Sequence, residues 1–159
     1  MEKDTKILVI DSEPGFTKTT RQALETSCEI VTATSAEEGL EKATRECPEA
    51  IILGYLGPRG TAFQLHKELR SNSITKSIPL LVVDVRPEEH SRKGWKRHEG
   101  LHMNADDYIS RPVEADELMR ALEGIIRRAS AEPMGLKEAS EYMERALKRI
   151  NKIEELLVK

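Results

Sequence analysis

A doubly wound α/β fold is the architecture that this sequence predicts, and two observations support it. Five short apolar runs, rich in β-branched residues, recur along the chain, and such runs are typical of buried parallel strands. Amphipathic helical patterns separate the runs, and this alternation favours a parallel sheet covered by helices. The runs cover residues 7–10, 29–33, 50–53, 80–83 and 108–109.

The helical patterns between the runs repeat apolar residues every three or four positions. Ser35 and Glu38 have the spacing of a capping box, in which a serine side chain and a glutamate satisfy backbone N–H groups at the start of a helix. The apolar stripes of the clearest helices comprise Ala36, Leu40, Ala43 and Cys47, then Ala62, Leu65 and Leu69, and finally Leu118, Leu122 and Ile125.

Composition narrows the class of protein. The chain has 159 residues, of which 33% are charged and 38% hydrophobic, and this balance favours a folded globular protein over a disordered one. No apolar run approaches the ~20 residues that span a bilayer, and residues 1–4 lack a signal-peptide pattern, so we expect a cytoplasmic protein without membrane association. Cys28 and Cys47 are too few and too far apart for a disulfide framework. The net charge of −3 gives no general attraction to nucleic acid.

The strand ends are where function is expected, because ligands of open α/β sheets bind at the carboxyl ends of the strands. Four stretches follow predicted strands there and contain polar, glycine or proline residues. They cover residues 11–14, 54–60, 84–87 and 110–112.

These stretches belong to four motifs: ILVIDSEP (7–14), IILGYLGPRG (51–60), IPLLVVD (78–84) and ADDYISRPVEADEL (105–118). Through them, the chain from Lys6 to Ala129 resembles a response-regulator receiver domain of two-component signalling. The resemblance implies a flavodoxin-like five-stranded parallel sheet of order 2-1-3-4-5. It also implies protein partners, a histidine kinase or another signalling protein among them.

The resemblance further implies a set of catalytic positions, and this chain departs from most of them. Receivers hold Mg²⁺ with two acidic residues after the first strand, and Asp11 matches the first whereas Ser12 replaces the second. Gly54 stands at the phosphoacceptor aspartate, Asp84 at the Ser or Thr position, and Arg111 at the lysine position. Because glycine carries no side chain, we expect a pseudo-receiver without phosphotransfer, enzymatic activity or Mg²⁺, acting through phosphorylation-independent protein interaction.

The remnants of this pocket leave several interpretations open. We expect Asp11, Asp84 and Arg111 to converge, with Arg111 forming a structural ion pair with a carboxylate. Alternatively, Asp84 and Arg111 hold one permanent signalling state, or the pocket binds an ion or a small ligand. Tyr108 occupies the position of the family's switch aromatic, and it either retains that role or only covers the end of its strand.

The segment from Arg86 to Met103 is basic and contains Trp95, the single tryptophan. In receivers the fourth helix, fifth strand and fifth helix form the usual output face. Trp95, Lys96 and Arg97 are therefore candidate docking residues, since tryptophan and arginine are common interface anchors. The alternative is a solvated helix face with Trp95 in the core. Nucleic-acid binding has little support, because only one aromatic residue accompanies the basic ones.

The same segment contains His98-Glu99-Gly100-Leu101-His102, which matches the HExxH motif of zinc peptidases. The context disfavours a peptidase, because Gly100 weakens the helix that the motif requires and the motif lies away from the strand ends.

A second part of the chain follows the receiver-like pattern, so we expect a domain over residues 1–130 and a helical extension over 131–159. The extension carries a heptad stripe: Leu136, Ala139, Met143, Ala146, Ile150, Ile153 and Leu157. Such a stripe predicts an amphipathic helix that needs a partner surface. A homodimer, packing on its own domain and binding to another protein all remain open.

Overall fold

The computed structural model describes residues 4–130 and Leu147. The chain divides into two units, Met1–Ala129 and Ser130–Lys159. The predicted heptad helix lies outside the described residues except for Leu147, which is helical and exposed. The predicted interaction residues Leu136, Met143, Ile150, Ile153 and Leu157 therefore stay predictions.

The sheet has five parallel strands in the order β2-β1-β3-β4-β5, which confirms the predicted fold class and strand order. The strands are β1 (Lys6–Ile10), β2 (Glu29–Ala33), β3 (Ala50–Leu53), β4 (Leu80–Asp84) and β5 (Asp107–Ser110). Every residue of β3 and β4 is buried, because helices cover both faces of the sheet.

The helices divide between the two faces of the sheet because successive strand side chains point to opposite sides. The helices are α1 (Pro14–Leu24), α2 (Ala36–Glu46), α3 (Thr61–Ser71), α4 (His90–Lys93), α5 (Arg97–Leu101) and α6 (Ala115–Ser130). One core contains Leu8 and Ile10 of β1 with side chains of α2 and α3. The other contains Ile7 and Val9 with side chains of α1 and α6. None of the described helices is long and apolar enough to cross a membrane.

Helix α2 begins at the predicted capping sequence, with one difference in detail. The Ser35 hydroxyl accepts a hydrogen bond from the Glu38 N–H at 3.1 Å, as a serine N-cap does. The Glu38 carboxylate, however, accepts from the N–H of Thr34, one residue before the cap. At its other end the helix stops at Cys47, whose φ of 46° is left-handed.

The connection between β4 and β5 differs from the single fourth helix of the expected pattern. It consists of a 3₁₀ turn at Pro87–Glu89 followed by the short helices α4 and α5. Gly94 separates the two helices with an extended backbone (φ −72°, ψ 166°). Trp95, the residue after Gly94, is buried.

Candidate functional site

The candidate site lies where β1 and β3 end side by side. The register pairs Ile10 with Leu53, so the next residues, Asp11 and Gly54, are neighbours at the carboxyl edge of the sheet. The Gly54 N–H donates to the Ile10 carbonyl at 2.8 Å, which fixes the two loops relative to each other. Arg111 lies at the same edge, and its N–H donates to the carbonyl of Asp84, the last residue of β4.

Asp11 is fully buried and both of its carboxylate oxygens are used. Oδ1 accepts the Glu13 N–H at 2.7 Å, and Oδ2 accepts the Tyr55 N–H at 2.7 Å and Nη2 of Arg111 at 2.6 Å. Burial raises the pKa of Asp11 more than the Arg111 charge and these hydrogen bonds lower it. The predicted ion pair between Arg111 and a carboxylate is therefore present, and Asp11 is its partner.

The Arg111 guanidinium is held on several sides. Besides Asp11, its Nη2 contacts the Val83 carbonyl at 3.3 Å, and its Nη1 lies 3.7 Å from Glu13 Oε2. The guanidinium also stacks 3.9 Å from the centroid of the Phe16 ring, a cation–π contact. Its Nε is buried without a hydrogen-bond partner among the described residues.

Gly54 leaves the space that this ion pair fills. A Cβ placed on Gly54 would lie 2.1 Å from Asp11 Oδ2 and 2.7 Å from Arg111 Nη2, both far inside van der Waals contact. Any side chain at this position therefore competes with the ion pair for the same volume.

Ser12, which follows Asp11, joins the loops after β1 and β3. Its N–H donates to the Tyr55 carbonyl at 2.7 Å, and its hydroxyl accepts the Gly57 N–H at 3.1 Å. The Ser12 side chain is thus engaged in a backbone contact between loops.

Asp84 lies at the same edge, where its backbone carbonyl accepts the Arg111 N–H, but its side chain has other partners. Its buried carboxylate accepts the N–H of Val85 at 2.8 Å, the N–H of Trp95 at 3.4 Å and the hydroxyl of Tyr108. Among the described residues, no hydrogen bond or ion pair joins this carboxylate to the Arg111 guanidinium. The Asp84 side chain is instead bonded to donors in β5 and in the β4–β5 connection.

Tyr108 is half-exposed on β5, and its hydroxyl is bonded to Asp84. Burial and this hydrogen bond to the carboxylate raise the pKa of Tyr108 well above its usual range. His90 Nε2 lies 3.5 Å from the same Asp84 Oδ2. The Asp84 carboxylate thus contacts both Tyr108 on β5 and residues of the β4–β5 connection.

From the sequence, Trp95 is either a docking residue or a core residue beneath a solvated helix face. The structure places it in the core. It is only 7% exposed and packs edge-on against Phe63 and His66. Lys96 and Arg97 are exposed. The buried indole therefore anchors the β4–β5 connection to the core, whereas the Lys96 and Arg97 side chains lie at the surface.

The HExxH sequence does not form the arrangement of a zinc peptidase. Only Arg97–Leu101 is helical, and Glu99 is buried with Oε1 accepting the Lys96 N–H at 2.7 Å, a helix-capping contact. His102 donates from Nδ1 to the His98 carbonyl at 2.8 Å. Over residues 4–130 and Leu147, no group of three or more His, Cys, Asp or Glu side chains is placed to hold a metal ion.

Two basic residues that sequence reasoning missed connect the pocket to the β4–β5 connection. Arg59 donates to the carbonyls of His90, Ser91 and Gly94 at 2.7–3.2 Å, at the carboxyl end of α4. Lys93 lies 3.1 Å from Glu13 and 5.3 Å from the centroid of the Tyr55 ring. No signal in the sequence indicated the Arg59 contacts, because they join residues more than thirty positions apart.

The family model of the response regulator receiver domain matches residues 7–123. The phosphate regulon transcriptional regulatory protein PhoB of Escherichia coli (strain K12) is 30% identical over 137 residues, 86% of this chain and 57% of that protein. The alkaline phosphatase synthesis transcriptional regulatory protein PhoP of Bacillus subtilis (strain 168) is 31% identical over 125 residues, 78% of this chain and 49% of that protein. The chain thus spans about half the length of these curated relatives.

Solved structures agree with the fold. A response regulator receiver domain protein from Clostridium thermocellum is 25% identical with a TM-score of 0.66, covering 80% of this chain and 98% of that one. A CheY-like receiver domain protein from Methanospirillum hungatei JF-1 shares the fold at 22% identity and a TM-score of 0.67, covering 83% of this chain and 99% of that one. Because the family match extends over residues 7–123 of the 159, the chain belongs to the response regulator receiver domain family.

Proposed function

We propose that this receiver domain acts without phosphorylation, as a protein-interaction module in a signalling pathway. The observation that carries the proposal is the Asp11–Arg111 ion pair, which fills the space that a side chain at Gly54 would need. Glycine cannot form an acyl phosphate, and the guanidinium takes the place of an incoming phosphoryl group. The paired side chains of Asp11 and Arg111 thus occupy the site themselves.

The residues present do not fit the Mg²⁺ ion that receivers of this family hold. A hard cation requires free oxygen ligands. Both oxygens of Asp11 already accept N–H donors, one of them from a cationic guanidinium. The Ser12 hydroxyl accepts the Gly57 N–H, and the Asp84 carboxylate is directed toward Tyr108. We therefore derive no step through a metal ion.

The switch position supports a fixed output state. The Asp84 carboxylate accepts a hydrogen bond from the Tyr108 hydroxyl, and we call this contact the Asp84–Tyr108 tether. It holds the ring by a hydrogen bond to a buried charge, a stronger type than one between neutral groups. In our proposal the tether replaces the phosphate-dependent movement of the aromatic ring, so the output face presents one arrangement.

The partner in this proposal is a protein of a signalling pathway. Receiver domains interact with histidine kinases and other proteins, and the curated relatives are transcriptional regulators by name. The β4–β5 connection and β5 carry the exposed candidates Lys96, Arg97 and Tyr108. Self-association through the segment 131–159 is a second proposed contact.

The experiment is incubation of the full chain with acetyl phosphate and Mg²⁺, followed by intact-mass measurement. We expect no gain of a phosphoryl group, and a stable adduct on the wild-type chain would contradict the proposal. A Gly54→Asp variant separates two causes of inertness. If only the missing carboxylate matters, that variant is labelled; if the ion pair also blocks the site, it stays unlabelled, which is the result we expect.

A further inference from the structure

Two side chains of α3 hold the end of the β4–β5 connection through the backbone of a single residue. The Asn104 N–H donates to Nε2 of His66 at 2.7 Å, and the Asn104 carbonyl accepts Nε of Arg70 at 2.7 Å. His66 and Arg70 lie one helical turn apart, so both are on the same face of α3. We call these two contacts the Asn104 clasp. It joins α3 to the residues that lead into β5.

The clasp requires a neutral His66 ring. Nδ1 lies 3.3 Å from the Phe63 carbonyl, which can only accept a hydrogen bond, so Nδ1 carries the ring proton. Nε2 accepts the Asn104 N–H and therefore carries none. A second proton would lie on Nε2 and would point at the proton of the Asn104 amide. Protonation of the ring thus removes one of the two contacts of the clasp.

The surroundings of His66 oppose a positive charge. The ring is 2% exposed, and it packs against the rings of Phe63 and Trp95 with centroid distances of 5.5 and 5.7 Å. Burial lowers the pKa of His66, and Arg70 and Lys67, both cations of α3, lower it further. A protonated ring therefore reaches water only by leaving its place against Trp95.

Acidic side chains do not offset this charge. In the part of the chain that the structure describes, no hydrogen bond or ion pair joins His66 to a carboxylate. The two carboxylates nearest to the clasp along the connection have other partners. Glu99 accepts the Lys96 N–H at 2.7 Å, and Asp106 pairs with Arg70 at 2.8 Å. The proton on His66 would thus have no counter-ion.

The other three histidines of the chain lie exposed on the β4–β5 connection and respond differently. His102 donates from Nδ1 to the His98 carbonyl, and a protonated ring keeps that hydrogen bond. His90 Nε2 lies 3.5 Å from the Asp84 carboxylate, a contact that protonation strengthens. Among these described histidine contacts, the one that protonation breaks is therefore that of His66 with Asn104.

We propose that His66 is a proton sensor: when its ring takes up a proton, the Asn104 clasp opens and the β4–β5 connection loosens from α3 while the sheet stays folded. Arg70 also holds the loop between α3 and β4, together with Asp106, so the opening is confined to the segment before β5. Its role in signalling rests on the proposed function, because it gives a receiver whose pocket takes no phosphoryl group a different input. The opening itself is a property of the chain alone.

The first test is a pH titration of tryptophan fluorescence in the full chain, from pH ~7.5 to pH ~5, across the ordinary histidine range. Trp95 is the only tryptophan and packs edge-on against His66, so its emission reports on this ring. We expect a shift to longer wavelength below pH ~6.5, with an unchanged far-ultraviolet circular dichroism spectrum. His66→Gln, which cannot take up a proton, should lack the shift. The matched control, His102→Gln, changes an exposed histidine of the connection and should keep it.

A second test uses the wild-type chain, so it does not depend on the folding of a variant. The hydrogen-exchange protection factor of the Asn104 amide should fall about 3- to 10-fold between pH ~7.5 and pH ~5.5. The reason is that a released imidazole, with an ordinary pKa of ~6.5, is charged ~10 times more often than neutral at the lower pH. Amides of β1 and β3 should keep their protection.

Three results would each overturn the inference: equal protection of Asn104 at both pH values, a fluorescence shift that survives His66→Gln, or a loss of protection throughout the five strands at the same pH. None of them bears on phosphorylation, which the acetyl phosphate experiment measures separately at the pocket. The proton sensor and the proposed function can therefore fail independently.

Discussion

At the scale of single residues, Gly54, Asp11 and Arg111 depend on one another. The ion pair occupies the space above Gly54, and the missing side chain is what allows Asp11 and Arg111 to meet there. A buried ion pair is maintained only when both charges keep their partners. Asp11 matches the family pattern, whereas Gly54 and Arg111 depart from it. A change at any one of the three therefore affects the contacts of the other two.

Gly54→Ala tests this dependence. The added Cβ would lie 2.1 Å from an Asp11 oxygen that is already fixed by hydrogen bonds, so we expect a loss of about 1–3 kcal/mol in the free energy of unfolding. Urea denaturation measures it. Gly15→Ala is the matched control: its Cβ meets nothing within 4 Å, and alanine in a helix should be neutral or stabilising. Equal stability of the two variants would contradict the crowding at Gly54.

The Asp84–Tyr108 tether predicts a titration. Because the folded pKa of Tyr108 is raised, the folded chain keeps the phenol proton where an unfolded tyrosine loses it, near pH ~10. Its contribution to stability is complete below that pH and is lost as the pH rises above it. Ultraviolet titration of the wild type, with Tyr108→Phe subtracted, should show ionisation only above pH ~10. Asp84→Asn should move that ionisation to lower pH, and an unchanged curve would refute the tether.

At the scale of elements, the contacts of Arg59 explain how two very short helices are held. Helix α4 has four residues and no side-chain cap at its start. The last carbonyls of a helix have no partners within it, and Arg59 supplies donors to this end. The loop after β3 thereby positions the β4–β5 connection.

Arg59→Ala should loosen that connection selectively. Removing hydrogen bonds from a charged donor costs about 1–3 kcal/mol of local stability. We expect faster amide hydrogen exchange at residues 90–95, with exchange in the five strands unchanged. Arg92→Ala, an exposed residue of the same helix, serves as the control and should leave the exchange as it is. Equal protection in the Arg59 variant would show that other contacts hold α4.

A second element contact makes stability depend on pH. His66 on α3 accepts the Asn104 N–H at Nε2 and therefore stays neutral, and burial, with Arg70 and Lys67 nearby, lowers its pKa. The unfolded chain takes up a proton near pH ~6.5 where the folded chain resists it, so stability should fall as the pH drops below that value. Denaturation midpoints measured from pH 8 to pH 5.5, on both sides of the ordinary histidine pKa of ~6.5, give this dependence of stability on pH. His66→Gln should remove this component, and a persisting slope would assign it to another group.

At the scale of the whole molecule, the question is whether residues 131–159 join two chains. The heptad stripe at Leu136, Met143, Ile150, Ile153 and Leu157 predicts an amphipathic helix in need of a partner surface. Light scattering of the full chain and of a chain ending at residue 130 should show a dimer and a monomer, respectively. A monomer in both cases would exclude self-association.

The fold was largely predictable because its signals are local. Each of the five apolar runs became a strand whose limits lie within one residue of the predicted ones, as in the extension of the last from 108–109 to Asp107–Ser110. The strand-end rule also placed Asp11, Gly54 and Arg111 at one edge. It did not predict the partners of the Asp84 carboxylate, since the direction of a side chain depends on donors from distant segments such as Trp95 and Tyr108.

By itself, then, the sequence determined the strands, their helical coverage and the absence of a carboxylate at Gly54. Only the tertiary structure decided that Arg111 pairs with Asp11, 100 positions away, and fills the vacated space. It also decided that Trp95 is buried while Tyr108 borders an open groove. The physical reason is that periodicity reports which face a residue occupies, whereas the pairing of buried charges and the shape of a groove depend on register, rotamer and loop packing together.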